Sequence, residues 1–170
     1  TSEPGSGTEF VFSFRAKIAD EPKQKTAEVK IEHYNFAGRR VLVAEDNLLN
    51  REIAHNILEN AGFAVEEAVN GREAVAKVSA AEPYYYDLVL MDIQMPVMDG
   101  YEAARTVRAL SDPGRGDIPI VAMTANAFEE DRQRALKAGM NDHIAKPVDI
   151  QQMMNVLEKV LRSDKDKKTN

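Results

Sequence analysis

At 170 residues the chain is long enough for one ordinary domain with its own core and too short for two large ones. A content of 44% hydrophobic and 29% charged residues excludes a wholly disordered chain, and the absence of cysteine excludes disulfides, thiol nucleophiles and thiolate-held zinc. Lysine and arginine number 22 against 28 acids, and the net charge of −6 has the wrong sign for a nucleic-acid surface, so cations or proteins are the expected partners.

Residues 1–14 form a tail in which Thr1 to Thr8 is polar and rich in Gly and Ser, while Phe10-Val11-Phe12-Ser13-Phe14 reads as a strand. Residues 15–38, charged and interrupted by Pro22, read as a linker. From Arg39 short apolar runs alternate with amphipathic stretches, and residues 39–162 are assigned to one domain. Val41–Ala44 opens it, followed by a helix with Leu49, Ile53 and Ile57 on one face and a stop at Gly62. Phe63–Ala68 mixes Glu66 and Glu67 with apolar residues, as an edge strand does, and Ala74, Val75 and Val78 mark the second helix. Leu88–Met91 is continuously apolar, the third helix carries Tyr101, Ala104 and Val107, and Ile120–Met123 is again apolar. A helix stop at Gly139 precedes His143-Ile144-Ala145, a second edge strand. Ile150, Met153, Met154, Leu157, Val160 and Leu161 define the last helix, and Ser163–Asn170 is a charged, frayed end.

No stretch approaches the ~20 apolar residues of a membrane span, so no direct membrane contact is expected. Alternating strands and helices with doubly buried central strands imply an α/β fold: a five-stranded, parallel, doubly wound sheet in the flavodoxin-like order 2-1-3-4-5, with helices on both faces. Ligands of such sheets gather beyond the carboxyl ends of the strands. Glu45 and Asp46 follow the first apolar run, Asp92 the third, Thr124 the fourth and Lys146 the fifth. Three carboxylates at one rim repel by roughly 3 kcal/mol per pair at ~5 Å and an effective dielectric of ~20. An all-oxygen donor set with no histidine or cysteine favours a hard ion, Mg²⁺ with Mn²⁺ as substitute. A carboxylate beside such an ion and a lysine can serve as nucleophile and form an aspartyl phosphate.

Four strings carry a resemblance. Val41-Leu42-Val43-Ala44-Glu45-Asp46-Asn47, Met91-Asp92-Ile93-Gln94-Met95-Pro96-Val97-Met98-Asp99-Gly100, Val121-Ala122-Met123-Thr124-Ala125 and Ile144-Ala145-Lys146-Pro147 resemble, in order, the motifs of the receiver domain of two-component response regulators. The resemblance implies that Asp92 is the phosphoacceptor, that Glu45, Asp46, Asp92 and the Gln94 backbone carbonyl hold Mg²⁺, and that Lys146 contacts the phosphoryl group. It implies a switch made of the Thr124 hydroxyl and the side chain of residue 143, where histidine departs from the family's usual tyrosine or phenylalanine, and a cis peptide before Pro147. Gly5 to Phe14 is similar to the last glycine-rich turn and final strand of a sensor histidine kinase's ATP-binding domain. Together these imply the C-terminal receiver of a hybrid kinase, cytoplasmic, with a phosphohistidine domain of a kinase or a histidine phosphotransfer protein as partner.

Rival readings stand beside this one. Glu45-Asp46 with Asn47 can be an ordinary capped helix start, and a receiver can be a degenerate docking module. A flavin mononucleotide carrier of this fold would place a Ser/Thr/Gly-rich phosphate loop where Glu45-Asp46 stands, and a phosphatase with an aspartyl intermediate would carry a second acid where Gln94 stands. His55, between Ala54 and Asn56, lacks the acidic neighbour of a phosphohistidine site. Met153 and Met154 read as core, and Tyr84-Tyr85-Tyr86 as a loop packing on the sheet edge.

Overall fold

The computed structural model of the chain describes residues 2–3, 7–8, 34–125 and 129–168. The expected strand at Phe10–Phe14 and most of the assigned linker lie outside them. Near the start, β1 (Ser2–Glu3) pairs antiparallel with β2 (Gly7–Thr8), a short hairpin where the sequence suggested only a polar stretch.

The main sheet is built from β3 (Arg40–Ala44), β4 (Ala64–Ala68), β5 (Leu88–Asp92), β6 (Ile120–Thr124) and β7 (Asp142–Ala145). All neighbours are parallel and the order is β4-β3-β5-β6-β7, with the two strands of mixed polarity at the edges as expected. Leu42 and Ala44 face one core and Val41 and Val43 the other, so alternating side chains are buried on both sides, and continuous apolar runs are the consequence.

Five helices cover the faces: α1 (Leu48–Asn60), α2 (Gly71–Ala80), α3 (Gly100–Arg108), α4 (Glu129–Lys137) and α5 (Ile150–Lys168). Residues of α2, α3 and α4 build one core, and residues of α1 and α5 the other. Four strand-to-helix turns end in side-chain caps, in which Asn47, Asn70, Asp99 and Asp149 accept from the backbone N–H of Asn50, Glu73, Glu102 and Gln152. After α1 and α4 the chain reverses through Gly62 and Gly139, at φ +97° and +89°, a conformation costly for any residue with a Cβ.

Three expectations need correction. The buried face of α1 is Arg51, Ala54 and Leu58, whereas Leu49 and Ile53 are exposed and Ile57 only partly covered. The domain begins before Arg39, because Phe36 is buried and stacks on Phe63 with ring centroids 4.5 Å apart, and the Tyr34 hydroxyl donates to Asn155 Oδ1 at 2.6 Å. At the other end α5 continues to Lys168, so 163–168 is helical, as a stretch without Gly or Pro permits.

Candidate functional site

Parallel strands deliver their carboxyl ends to one rim, and there the expected residues converge. Glu45 leaves the end of β3, Asp92 ends β5, Thr124 ends β6 and Lys146 follows β7. Glu45, Asp92 and Thr124 are buried, while Asp46 is exposed. Carboxylate oxygens of Glu45, Asp46 and Asp92 lie within 4.8 Å of one another.

Lys146 joins two of these acids. Its ammonium donates to Glu45 Oε2 at 2.6 Å and contacts Asp92 Oδ2 at 2.8 Å. Glu45 Oε1 accepts from Asn50 Nδ2 at 3.2 Å, and Asp92 Oδ1 accepts from the Gln94 backbone N–H at 3.3 Å. Burial and the neighbouring Glu45 raise the pKa of Asp92, and the hydrogen bond from Lys146 opposes them. For Lys146, burial acts to lower the pKa, but its bonds to Asp92 and Glu45 outweigh burial and the ammonium is held charged above its usual range. The Lys146–Pro147 peptide is cis.

Oxygen donors alone, two of them buried and all within one ion's reach, fit a hard divalent cation of the Mg²⁺ class. Beside Asp92 opens a cleft of about 210 Å³, lined by Ile93, Gln94, Asp99, Tyr101, Thr124, Ala125, Asp131 and Arg134. A larger cavity of about 1040 Å³ is lined by residues such as Ile118, Pro119 and Asn141 around the opposite, amino-terminal strand ends. Its Arg108 is spent on the carbonyls of Gly139, Gly116 and Ile118.

The approach of backbones explains the Asp99-Gly100 pair. A Cβ on Gly100 would lie 2.2 Å from the Asp92 carbonyl oxygen, so only glycine lets α3 begin this close to the end of β5. Asn47 does cap α1, so the ordinary helix start and the acidic site coexist. His143 sits on β7 away from the carboxylates; its Nδ1 is shielded from solvent, makes no hydrogen bond among the described residues, and lies 3.6 Å from Asp142 Oδ1. His55 is not in the site. Its Nδ1 lies 2.6 Å from Glu67 Oε1.

Asn50 and Arg51 escape a reading by motifs, yet both touch Glu45, one through its side chain and one through its carbonyl. The overlooked signal is the cation itself, since a positive residue near a helix N-terminus opposes the helix dipole and needs a local reason.

Residues 41–158 match the sequence profile of the response regulator receiver domain. A hybrid signal transduction histidine kinase of Dictyostelium discoideum is 34% identical over 131 residues, covering 76% of this chain and 8% of that kinase. The receiver domain of a Pseudomonas aeruginosa sensor histidine kinase, solved with a magnesium ion coordinated in its active site cleft, aligns with 37% identity and a TM-score of 0.66 over 74% of this chain and 98% of that one. A Saccharomyces cerevisiae response regulator receiver, solved in complex with a histidine phosphotransfer protein, aligns with 31% identity and a TM-score of 0.60, over 72% and 86%. The chain thus spans only a small part of the length of that curated kinase relative.

Proposed function

The chain belongs to the response regulator receiver domain family, and on that footing we propose that it is the phosphoacceptor receiver of a hybrid sensor histidine kinase, taking a phosphoryl group from phosphohistidine onto Asp92. The observation that carries this reading is the Lys146 ammonium shared between Glu45 and Asp92 inside a three-carboxylate cluster. Glu45, Asp46, Asp92 and the Gln94 carbonyl would hold Mg²⁺, which supplies charge neutralisation for the phosphoryl oxygens and the acids around them.

The residues divide the work as follows. An Asp92 carboxylate oxygen forms the new P–O bond while the P–N bond to the donor imidazole breaks, its electron pair remaining on the ring nitrogen. Lys146, already against Asp92 Oδ2, neutralises charge on the transferred group, and the Thr124 hydroxyl donates to one of its oxygens. Thr124 and His143 then pass the change towards α4 and β7. The donor is a phosphohistidine domain: exposed Leu48, Leu49 and Ile53 on α1, with Val69 and Val97 in the rim loops, offer an apolar landing surface around the acids. Among the described residues no helix is long and apolar enough to cross a membrane, and a cytoplasmic location is part of this proposal because a phosphohistidine donor is charged from ATP.

The test is phosphotransfer from a panel of histidine phosphotransfer domains, with the modified residue located by mass spectrometry with and without Mg²⁺. Label confined to Asp92 and abolished by chelator is expected. Unimpaired labelling of Asp92→Asn overturns the reading, and donor binding without transfer leaves a docking module in its place.

A further inference from the structure

Resting on that reading, we infer that Arg51 is a positioning residue of the cation site, setting the place of Asp46 from behind through its backbone. A buried guanidinium beside three acids would be expected to pair with them and compete with a divalent ion. Arg51 does neither. Its Nη1 donates to the carbonyl of Glu45 at 2.8 Å and to that of Asp46 at 3.4 Å, the two carbonyls that flank the Asp46 Cα. Its Nε donates to Glu67 Oε2 on β4 at 3.0 Å, so its charge is answered away from the site.

The need for such a clamp follows from what holds the other acids. Glu45 is fixed by Asn50 and Lys146, and Asp92 by Gln94 and Lys146. Asp46 is exposed, and among the described residues no side chain hydrogen-bonds its carboxylate, so its position is that of its backbone. The planar fork of arginine suits the task, since one group spans two carbonyls and a carboxylate. Glu67 is braced in turn, with Oε1 2.6 Å from His55 Nδ1, while His55 Nε2 lies 3.3 Å from Glu59 Oε1. His55, which no phosphotransfer role absorbs, therefore belongs to the outer end of this support.

The experiment titrates MgCl₂ into the whole chain by amide NMR shifts, with Mn²⁺ line broadening as a second readout, and records thermal unfolding in chelator. Wild type, Asp46→Asn, Arg51→Met, Arg51→Lys and Glu67→Ala are compared. Loss of an outer partner that orients a ligand costs 10–100-fold in metal affinity, so Arg51→Met is expected to raise the Mg²⁺ Kd about tenfold, with Arg51→Lys recovering only part. A residue that merely supports the fold would lower the melting temperature and leave Kd unchanged, and that result in folded Arg51→Met overturns the inference. If Arg51→Met does not fold, Glu67→Ala, on an edge strand, decides: a Kd raised about threefold supports the clamp, and an unchanged one refutes it. Wild type that fails to bind Mg²⁺ overturns the functional reading and this one together, whereas wild-type binding with indifferent variants overturns this one alone.

Discussion

Replacing Asp92 with asparagine separates the strain of the site from its use. The two buried acids Glu45 and Asp92, no more than 4.8 Å apart, repel by at least about 3.5 kcal/mol at an effective dielectric of ~20. The exposed Asp46 adds about 1 kcal/mol at the dielectric of water, and Lys146, 2.8 Å from Asp92, returns about 6 kcal/mol at ~20. The charges thus favour ionised Asp92 by only about 1.5 kcal/mol, against several kcal/mol for taking a carboxylate out of water. Burial wins, in agreement with the upward direction of the Asp92 pKa. Because the folded pKa lies above the unfolded one, ionised Asp92 destabilises the fold at neutral pH, and the penalty fades as pH falls through the folded value towards the unfolded one. Asp92→Asn is therefore expected to be about 1 kcal/mol more stable than wild type in chelator at pH 7, or about 3 °C in melting temperature, with the gap closing near pH 4. At a Mg²⁺ concentration about ten times its Kd, wild type gains about 1.4 kcal/mol and the variant much less. Calorimetry or circular dichroism melts read both. A variant less stable than wild type in chelator at pH 7, or one with the full Mg²⁺ gain, refutes the reasoning.

Lys146→Met removes the cation shared by Glu45 and Asp92 and should cost about 2–3 kcal/mol in chelator, less than a fully buried pair because Lys146 is partly exposed, while enlarging the Mg²⁺-induced rise in melting temperature. Gly100→Ala drives a Cβ into the Asp92 carbonyl and should cost about 2–3 kcal/mol and weaken Mg²⁺ binding in the same titration. Burial acts to raise the pKa of Asp142, but hydrogen bonds from Lys159 and the His143 N–H outweigh it and hold it low. Its contribution is accordingly complete above the unfolded pKa and lost as pH falls through the folded one, so denaturant unfolding of Asp142→Asn against wild type should show a constant deficit from pH 7 to 5 that shrinks below about pH 4.

The legible parts of this fold are those where one local pattern has one physical cause. Val41–Ala44, Leu88–Met91 and Ile120–Met123 are apolar without alternation because both faces of a central parallel strand are covered, and the mixed polarity of Phe63–Ala68 reports an edge. Glu45, Asp92, Thr124 and Lys146 were readable because a parallel sheet sends every strand end to one rim. Contacts across distant segments were not readable. Tyr34–Gly38 joins the domain through a ring stack on Phe63, and Arg51 finds Glu67 on the neighbouring strand, neither of which a local window contains.

The misread helix carries the more useful argument. Leu49, Ile53 and Ile57 recur at a helical period, and such a stripe ordinarily marks the face turned to the core. In α1 the core face is instead Arg51, Ala54 and Leu58, and this rotation packs Ala54 and Leu58 into the core while it lets Arg51 reach back to the Glu45 and Asp46 carbonyls. Leu49 and Ile53 then lie on the opposite, exposed side of α1, and Leu48 is exposed at its first turn. If the proposed function holds, an apolar surface on this side of α1 is where a phosphohistidine domain can bury its own apolar face while presenting its histidine to Asp92.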